Sequence, residues 1–201
     1  MKALLLKDSF TIARQMKIFL ILILFLACYG SSMSGFAIIY ASMLPITALA
    51  YDERSKWNTL AAMMPYSQSS IVMSKYVLGY ISIGMAAIIS CLAQIAINLY
   101  RHTNFEAEGI VAIVAVICIA LLLQAFTLPF MFRFGVEKGR LAFFALIAVT
   151  VLGGTVFGKN FAALLKFEET NIALIGIILI VSAIIINIVS IIISEKLYKI
   201  N

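Results

Sequence analysis

Five long stretches of this chain contain no charged residue. They cover residues 18–50, 76–100, 109–132, 141–158 and 171–194. A helix that crosses a membrane needs about 20 apolar residues. The first stretch is interrupted by a Gly/Ser cluster at residues 30–35, which is typical of a tight turn between two spans. The pattern therefore predicts six membrane-spanning helices. The first two are short, so either flanking residues extend them or the turn lies inside the membrane.

The composition is typical of a chain that is surrounded mainly by lipid. Charged residues make up 12% of the chain, hydrophobic residues make up 64%, and the mean hydropathy is +1.10. A soluble domain carries about 25% charged residues. We expect an all-α membrane protein in which residues 1–201 form a single transmembrane domain, a six-transmembrane-helix bundle. The predicted spans are about 17–31, 34–51, 76–99, 110–132, 141–157 and 171–194.

Residues 1–16 combine basic and apolar side chains before the first span. Lys2, Lys7 and Arg14 are interleaved with leucine, phenylalanine and isoleucine. This pattern predicts an amphipathic helix that lies at the membrane interface. The alternative is a secretory signal, because residues 25–28 resemble a lipoprotein cleavage site. The long charged region and the spans that follow favour the interfacial helix.

The basic residues are distributed unequally between the two sides of the predicted bundle. With a cytoplasmic N-terminus, twelve of them fall on the cytoplasmic side: Lys2, Lys7, Arg14, Lys17, Arg54, Lys56, Lys75, Arg133, Lys138, Arg140, Lys196 and Lys199. Only Arg101, Lys159 and Lys166 fall on the other side. Cytoplasmic loops of membrane proteins are enriched in lysine and arginine. We therefore expect a multi-pass protein of the cell (cytoplasmic) membrane with both termini in the cytoplasm.

The predicted span interiors contain no ionisable group suited to catalysis or ion coupling. Proton-coupled carriers and intramembrane hydrolases need such groups within the bilayer. The three cysteines are isolated, which gives no metal or redox signature. The basic residues sit at the ends of apolar runs and form no nucleic-acid patch. We therefore expect no enzyme, no cofactor in this chain, no metal site and no nucleic-acid partner.

Uncharged polar residues do occur within the predicted spans. In lipid such groups usually bond to a neighbouring helix, and a substrate pathway is the other interpretation. Both stay open for these positions. The residues are Thr47, Gln94, Asn98, Gln124, Thr127 and Asn187.

The longest polar stretch, residues 52–75, lies between the second and third predicted spans. Trp57, Leu60, Ala61 and Met64 recur at helical spacing, so this segment predicts a short amphipathic helix that ends before Pro65. Ser67 or Ser69 is expected to cap the helix that follows. The short helix either rests on lipid headgroups or inserts into a cytoplasmic partner, with Trp57 as the anchor.

Several short motifs resemble those of a known family. They are Leu6-Lys7-Asp8, Tyr51-Asp52-Glu53, Ser55, Trp57, Pro65, Ser67, Ile71-Val72 and Ser74-Lys75-Tyr76. They are similar to the signature of the ATP-binding-cassette type 2 permeases, in particular the small branch that includes phenol-soluble-modulin exporters. The resemblance covers the first hundred residues by motif, and the remainder by span number and loop length.

The resemblance implies a half-transporter with a cytoplasmic coupling helix. Two permease copies, identical or different, would form the pathway, and separate ATPase subunits would hold Mg-ATP and contact the coupling helix. The chain itself contains no GxxxxGK[ST] phosphate loop. Residues expected at the ATPase contact are Asp52, Glu53, Arg54, Trp57 and Asn58. The loop 133–140 would make a second contact, and residues 158–170 would form either an outer re-entrant gate or a surface helix.

The function that the sequence predicts is a permease subunit of an ATP-binding-cassette exporter that moves amphipathic or hydrophobic peptides. Lipids and hydrophobic drugs are comparable cargoes. The alternative is a non-transporting membrane module, such as an immunity or sensor subunit. An ion-coupled carrier is disfavoured by the uncharged span interiors.

Overall fold

The computed structural model describes residues 2–15, 17–28, 31–64, 66–101, 107–164 and 172–198. In these ranges the regular structure is entirely helical, as the sequence predicted. The helices are α1 (Lys2–Gln15), α2 (Lys17–Cys28), α3 (Ser31–Ala41), α4 (Leu44–Arg54), α5 (Trp57–Ala62), α6 (Gln68–Arg101), α7 (Ala107–Phe134), α8 (Val136–Leu164) and α9 (Ile172–Leu197).

Four segments of the described chain are long and apolar enough to cross a bilayer. They are Gly35–Arg54, Gln68–Tyr100, Ala112–Phe134 and Gly176–Leu197. The predicted spans 17–31 and 141–157 fall on α2 and α8, which do not meet that criterion over their described residues. The multi-pass architecture is therefore supported, while the count of six stays a prediction. Residues 158–164 continue α8 as helix, and 165–170, the rest of the predicted gate, lie outside the described residues.

Helix α6 begins eight residues before the predicted third span, at Gln68 instead of residue 76. The amide N–H of Ser70 donates to Ser67 Oγ at 3.2 Å, so Ser67 caps the helix as predicted. The early start places Lys75 inside the helix with only 2% of its side chain exposed. The prediction differed because a lysine was treated as the boundary of an apolar run.

The second predicted span, 34–51, is divided between α3 and α4 by a turn at Ser42 and Met43. Pro45 has no N–H, so the carbonyl of Ala41, four residues earlier, loses its usual helical donor. The hydroxyl of Ser82 on α6 is shared between that carbonyl, at 3.1 Å, and the carbonyl of Gly79 in its own helix, at 2.8 Å. The neighbouring helix thus satisfies the backbone group that the proline leaves unpaired, as the membrane interior requires.

The same arrangement recurs at the proline inside α7. Pro129 deprives the carbonyl of Ala125 of its donor, and the hydroxyl of Ser190 on α9 bonds to it. Helix α7 packs against α9, α8, α3 and α6, so this proline lies in the helix that many others contact. Two membrane-level prolines are therefore accommodated by two serines from adjacent helices.

Helix α1 has one face against the bundle and another directed outward. Leu4, Asp8 and Ile12, spaced four residues apart, are buried. Leu6 and Phe10 are 60% and 66% exposed on a different face. An exposed apolar face of this kind is expected of a helix at a membrane interface, the location that the sequence predicts for residues 1–16.

We predict that Ser82→Ala lowers the thermal midpoint in detergent, because it leaves the Ala41 carbonyl buried without a donor. The loss should correspond to about 0.6–2 kcal/mol, the range for hydrogen bonds between membrane helices. Ser90→Ala is the matched control: this serine also lies buried on α6, and its hydroxyl has no hydrogen-bond partner among the described residues. Equal melting of the two variants would contradict the proposed role of Ser82.

Candidate functional site

The end of α4 carries two acidic residues that point to different parts of the bundle. Asp52 is 8% exposed, whereas Glu53 is exposed. After them the chain turns at Ser55 and Lys56, and Lys56 adopts the left-handed conformation with φ of 53°. This turn starts α5 at Trp57. A short helix therefore lies between α4 and α6, over six residues of the predicted amphipathic segment, and its coupling role stays a prediction.

Asp52 belongs to a cluster of four charged side chains that we call the charge junction. The Nζ of Lys75 lies 2.7 Å from Asp8 Oδ2 and 2.6 Å from Asp52 Oδ2. The Nζ of Lys7 lies 2.6 Å from Asp52 Oδ1 and 3.1 Å from Asp8 Oδ1. The two lysines thus alternate with two aspartates. Helices α1, α4 and α6 are joined through these four ion pairs.

Burial makes the charge junction strongly dependent on each of its members. The side chains of Lys75 and Asp8 are each 2% exposed, and that of Asp52 is 12% exposed. Removing a charge from water costs several kcal/mol, which only a partner of opposite charge with good geometry offsets. Two lysines and two aspartates balance to zero. The loss of any one leaves an uncompensated charge in a buried place.

Trp57 contacts the charge junction through Lys7. The Nζ of Lys7 lies 4.1 Å from the centre of the indole ring, within the range of a cation–π contact. The ring also packs against a buried apolar cluster that includes Leu4, Ala61 and Tyr76. The predicted anchor residue is therefore half-buried within the chain and links α5 to α1.

The exposed surface of α5 and of the two residues after it is largely apolar. Leu60 is 49% exposed, Met63 is 79% exposed and Met64 is 41% exposed. The sequence placed Leu60 and Met64 on one face with Trp57 and Ala61, whereas the structure directs only Trp57 and Ala61 inward. A six-residue helix is too short to keep all four on one buried side. The side chain of Asn58 lies outside the described part of the structure.

Glu53 connects the coupling segment to the turn between α7 and α8. Its Oε2 accepts a hydrogen bond from the backbone N–H of Val136 at 3.3 Å, at the beginning of α8. A carboxylate at a helix N-terminus is favoured by the helix dipole. Gly135 makes the turn with φ of +85°, a conformation that suits glycine. Thus Asp52 holds α1 and α6, and Glu53 holds α8.

A cavity of about 140 Å³ lies between these contacts. Asp52, Glu53, Lys75 and Tyr198 contribute to its lining. The phenol of Tyr198 is buried, and burial together with the negative charge of Asp52 raises the pKa of Tyr198 above its ordinary value. The phenol therefore stays protonated beside the carboxylate at neutral pH. The end of α4, the first turns of α6 and the turn between α7 and α8 meet around this cavity.

A line of polar side chains extends from the charge junction between α6, α7 and α9. The hydroxyl of Tyr76 lies 2.6 Å from Ser190 Oγ and 2.8 Å from Ser194 Oγ. One turn further along α6, the hydroxyl of Tyr80 donates to Asn187 Oδ1 at 3.1 Å. We call this line the polar seam. It bonds the third and sixth predicted spans together.

Two of the polar residues predicted as glue or pathway belong to this seam. Asn187 Nδ2 donates to the carbonyl of Leu121 at 3.2 Å, and Gln124 Nε2 donates to the carbonyl of Tyr76 at 3.2 Å. Gln124 approaches α6 at Gly79, where a Cβ atom would come within 2.5 Å of the amide. Both side chains thus connect helices in this state. Their participation in a pathway stays a prediction.

The other members of that set behave differently. The hydroxyls of Thr47 and Thr127 donate to carbonyls of their own helices, Met43 and Leu123, each at 2.6 Å. Gln94 and Asn98 lie on the part of α6 that follows the seam and are half-buried. The structure therefore does not bring the whole predicted set together.

The sequence reasoning named Asp52 and missed its partners. Asp8 and Lys75 are separated by 67 positions along the chain, and Lys75 was placed at the membrane boundary. A signal was present, because Leu6-Lys7-Asp8, Tyr51-Asp52-Glu53 and Ser74-Lys75-Tyr76 are three of the motifs that carry the family resemblance. Charges of opposite sign next to apolar runs indicate that these residues neutralise one another when they are buried.

A family model described as ABC-2 family transporter protein matches residues 3–199. No curated protein and no solved structure matches the chain.

We predict that Lys75→Met strongly destabilises the protein, by about 3–5 kcal/mol, because two buried aspartates then share one lysine. The double variant Lys75→Met with Asp8→Asn leaves the neutral pair of Lys7 and Asp52. Its loss of stability should therefore be smaller than the sum of the two single losses. Thermal unfolding followed by size-exclusion chromatography measures both effects.

Lys138→Met is the control for that experiment, since this lysine is exposed and belongs to none of the described ion pairs. It should melt like the wild type. Additive losses in the double variant, or a Lys75→Met midpoint equal to that of the control, would show that the charge junction does not hold the helices together.

Proposed function

Because the chain belongs to the ABC-2 transporter family, as its motifs predicted, it is a membrane permease component of an ABC transporter, and we propose that it serves an exporter of amphipathic or hydrophobic peptides. In this proposal two permease copies form the pathway, and separate ATPase subunits hold Mg-ATP and drive transport. The observation that carries the proposal is α5 together with the turn that follows it, a segment whose exposed surface is largely apolar and whose inner face is tied to the charge junction.

The outer face of α5 has the chemistry of a protein contact. Leu60, Met63 and Met64 expose apolar surface at the end of the bundle where basic residues are concentrated. Methionine is flexible and is frequent at surfaces that adapt to a partner. Together with the exposed Arg54, this surface supports α5 as the contact for an ATPase subunit.

The inner face of α5 offers a route by which a movement reaches the spans. Trp57 contacts Lys7, which pairs with Asp52, which pairs with Lys75 on α6. Glu53, the next residue, holds the start of α8. A displacement of α5 would therefore move α1, α6 and α8 together. The second cytoplasmic contact predicted at 133–140 includes this same α7–α8 turn.

The orientation in the proposal follows from the basic residues. The charge junction, α5 and the α7–α8 turn belong to the side that holds twelve of the fifteen lysines and arginines. On this basis both termini are cytoplasmic and the protein lies in the cell membrane. The ATPase, which consumes cytoplasmic ATP, then meets α5 from the same side.

The cargo in the proposal is suggested by the resemblance and by the apolar character of the spans. The part of the spans that the structure describes offers hydrogen-bonding groups in the polar seam and elsewhere mostly aliphatic side chains. Peptides with one apolar face suit such surroundings better than ions or sugars.

We predict that Met63→Ser weakens binding of the proposed ATPase subunit by about tenfold, the loss expected when about 1.5 kcal/mol of apolar burial is removed from an interface. The thermal midpoint of the permease should stay unchanged, because this side chain is 79% exposed. Co-purification of the two subunits and stimulated ATP hydrolysis are the measurements.

Met73→Ser is the matched control: it changes the same residue type, 38% exposed, near the start of α6. It should retain both binding and stimulation. Trp57→Ala should impair stimulation and also lower stability, since the indole is packed inside the chain. Full coupling in Met63→Ser and Trp57→Ala, or no complex with the ATPase for the wild type, would refute the proposal.

The orientation has its own test by cysteine labelling in a variant without the three natural cysteines. A cysteine at Met63 should react with a membrane-impermeant maleimide only after the cells are opened. A cysteine at His102, in the predicted outer loop 101–108, should react in intact cells. Labelling of the Met63 position in intact cells would place α5 outside the cell and overturn the proposed function.

A further inference from the structure

A groove between α7 and α9 lies away from the charge junction and shares Ser190 with the polar seam. It encloses about 320 Å³. Its floor is closed by the hydrogen bond between the Ser190 hydroxyl and the carbonyl of Ala125, so the freed backbone group beneath Pro129 is already satisfied. The groove therefore presents an apolar surface with no hydrogen-bonding demand of its own at that point.

The walls of the groove are large apolar side chains that stay exposed. Phe126 and Phe130 on α7 are 56% and 43% exposed, and Val189 and Ile193 on α9 are 48% and 44% exposed. Both helices belong to segments long and apolar enough to cross a bilayer. At this level the surroundings are lipid, so an apolar groove of this kind is filled by hydrocarbon.

One end of the groove is positively charged. Arg133 lines it, one residue before the end of α7, with its guanidinium 5.2 Å from the ring centre of Phe134. Arg133 is exposed and belongs to none of the ion pairs found among the described residues. A cation without a carboxylate partner at the end of a membrane helix is complementary to an anionic headgroup.

The length of the groove agrees with one lipid leaflet. From Ala125 to Arg133 the helix rises by about 12 Å, at about 1.5 Å per residue. Half of the hydrocarbon core is about 15 Å thick. An acyl chain that starts at the level of Arg133 would therefore occupy the whole groove and end near the middle of the membrane.

From these observations we infer that the groove between α7 and α9 is a binding site for an anionic phospholipid. One acyl chain lies along Phe126, Phe130, Val189 and Ile193, and the phosphate lies beside Arg133. This site does not depend on what the permease transports, since it stands apart from α5 and the one seam residue in its lining, Ser190, already bonds to Tyr76 and to the carbonyl of Ala125.

The test uses the quenching of tryptophan fluorescence by brominated lipids. Trp57 is the single tryptophan, so Trp57→Phe with Phe130→Trp places the reporter in the groove. The full chain is reconstituted into phosphatidylcholine vesicles that contain either brominated phosphatidylglycerol or brominated phosphatidylcholine. The control reporter is Ile188→Trp, at a position 53% exposed on the opposite side of α9.

The groove reporter should be quenched at an about fivefold lower mole fraction of phosphatidylglycerol than of phosphatidylcholine, the preference expected from one basic residue near the headgroups. Arg133→Gln should make the two lipids equal. Lys138→Gln, which also removes an exposed cation but from outside the groove, should keep the preference. The Ile188→Trp reporter should show no preference.

Equal quenching of the groove reporter by both lipids, or a preference that survives Arg133→Gln, overturns the inference. If a second copy of the chain covers the groove, neither lipid quenches the reporter, and the inference fails as well. If the variant that carries the tryptophan reporter does not fold, native mass spectrometry of proteins that retain Trp57 provides the second test. Phosphatidylglycerol should remain bound in the wild type and Lys138→Gln and be lost in Arg133→Gln, and its retention in Arg133→Gln overturns the inference.

Discussion

The ammonium group of Lys75, held between the carboxylates of Asp8 and Asp52, is the contact on which the packing of α1, α4 and α6 depends. It joins α1, the end of α4 and the first turns of α6. Without it, a lysine could not be buried at the start of a membrane helix. The position of α6, and with it the polar seam to α9, follows from that neutralisation.

The membrane interior imposes the same requirement on the backbone. Pro45 and Pro129 each free a carbonyl, and Ser82 and Ser190 each satisfy one from a neighbouring helix. These bonds also fix which helices are neighbours, because a serine reaches such a carbonyl only from an adjacent helix. The prolines are thus points of attachment between helices as well as interruptions within them.

The sequence predicted the parts of the structure that depend on local patterns. Uncharged runs predicted helices, the spacing of Trp57 and Ala61 predicted α5, and Ser67 was one of the two residues predicted to cap α6. The break at Ser42 and Met43 could also have been predicted from Pro45, because proline lacks the N–H that a continuous helix needs.

The partners in the candidate site were beyond local patterns. Asp8 and Lys75 meet across 67 positions, and Tyr76 meets Ser194 across 118. The sequence shows that Gln124 and Asn187 are polar residues within predicted spans. It does not show which helix packs beside each of them. Hydropathy also treats every lysine as a boundary, although Lys75 belongs to a set of two lysines and two aspartates that is neutral overall and fits inside.

A buried charge junction under α5 has a mechanical consequence that an apolar contact would lack. Apolar side chains slide past one another at small cost, whereas ion pairs of 2.6–2.7 Å with two aspartates fix both distance and direction. Stability alone does not require such a network, since apolar residues of similar size often stabilise a core equally well. Under the proposed function the junction would instead serve to make α1, α4 and α6 move as one unit when α5 is displaced. Glu53 would extend that unit to α8. A displacement of the six-residue helix α5 would then reach helices on both sides of α7.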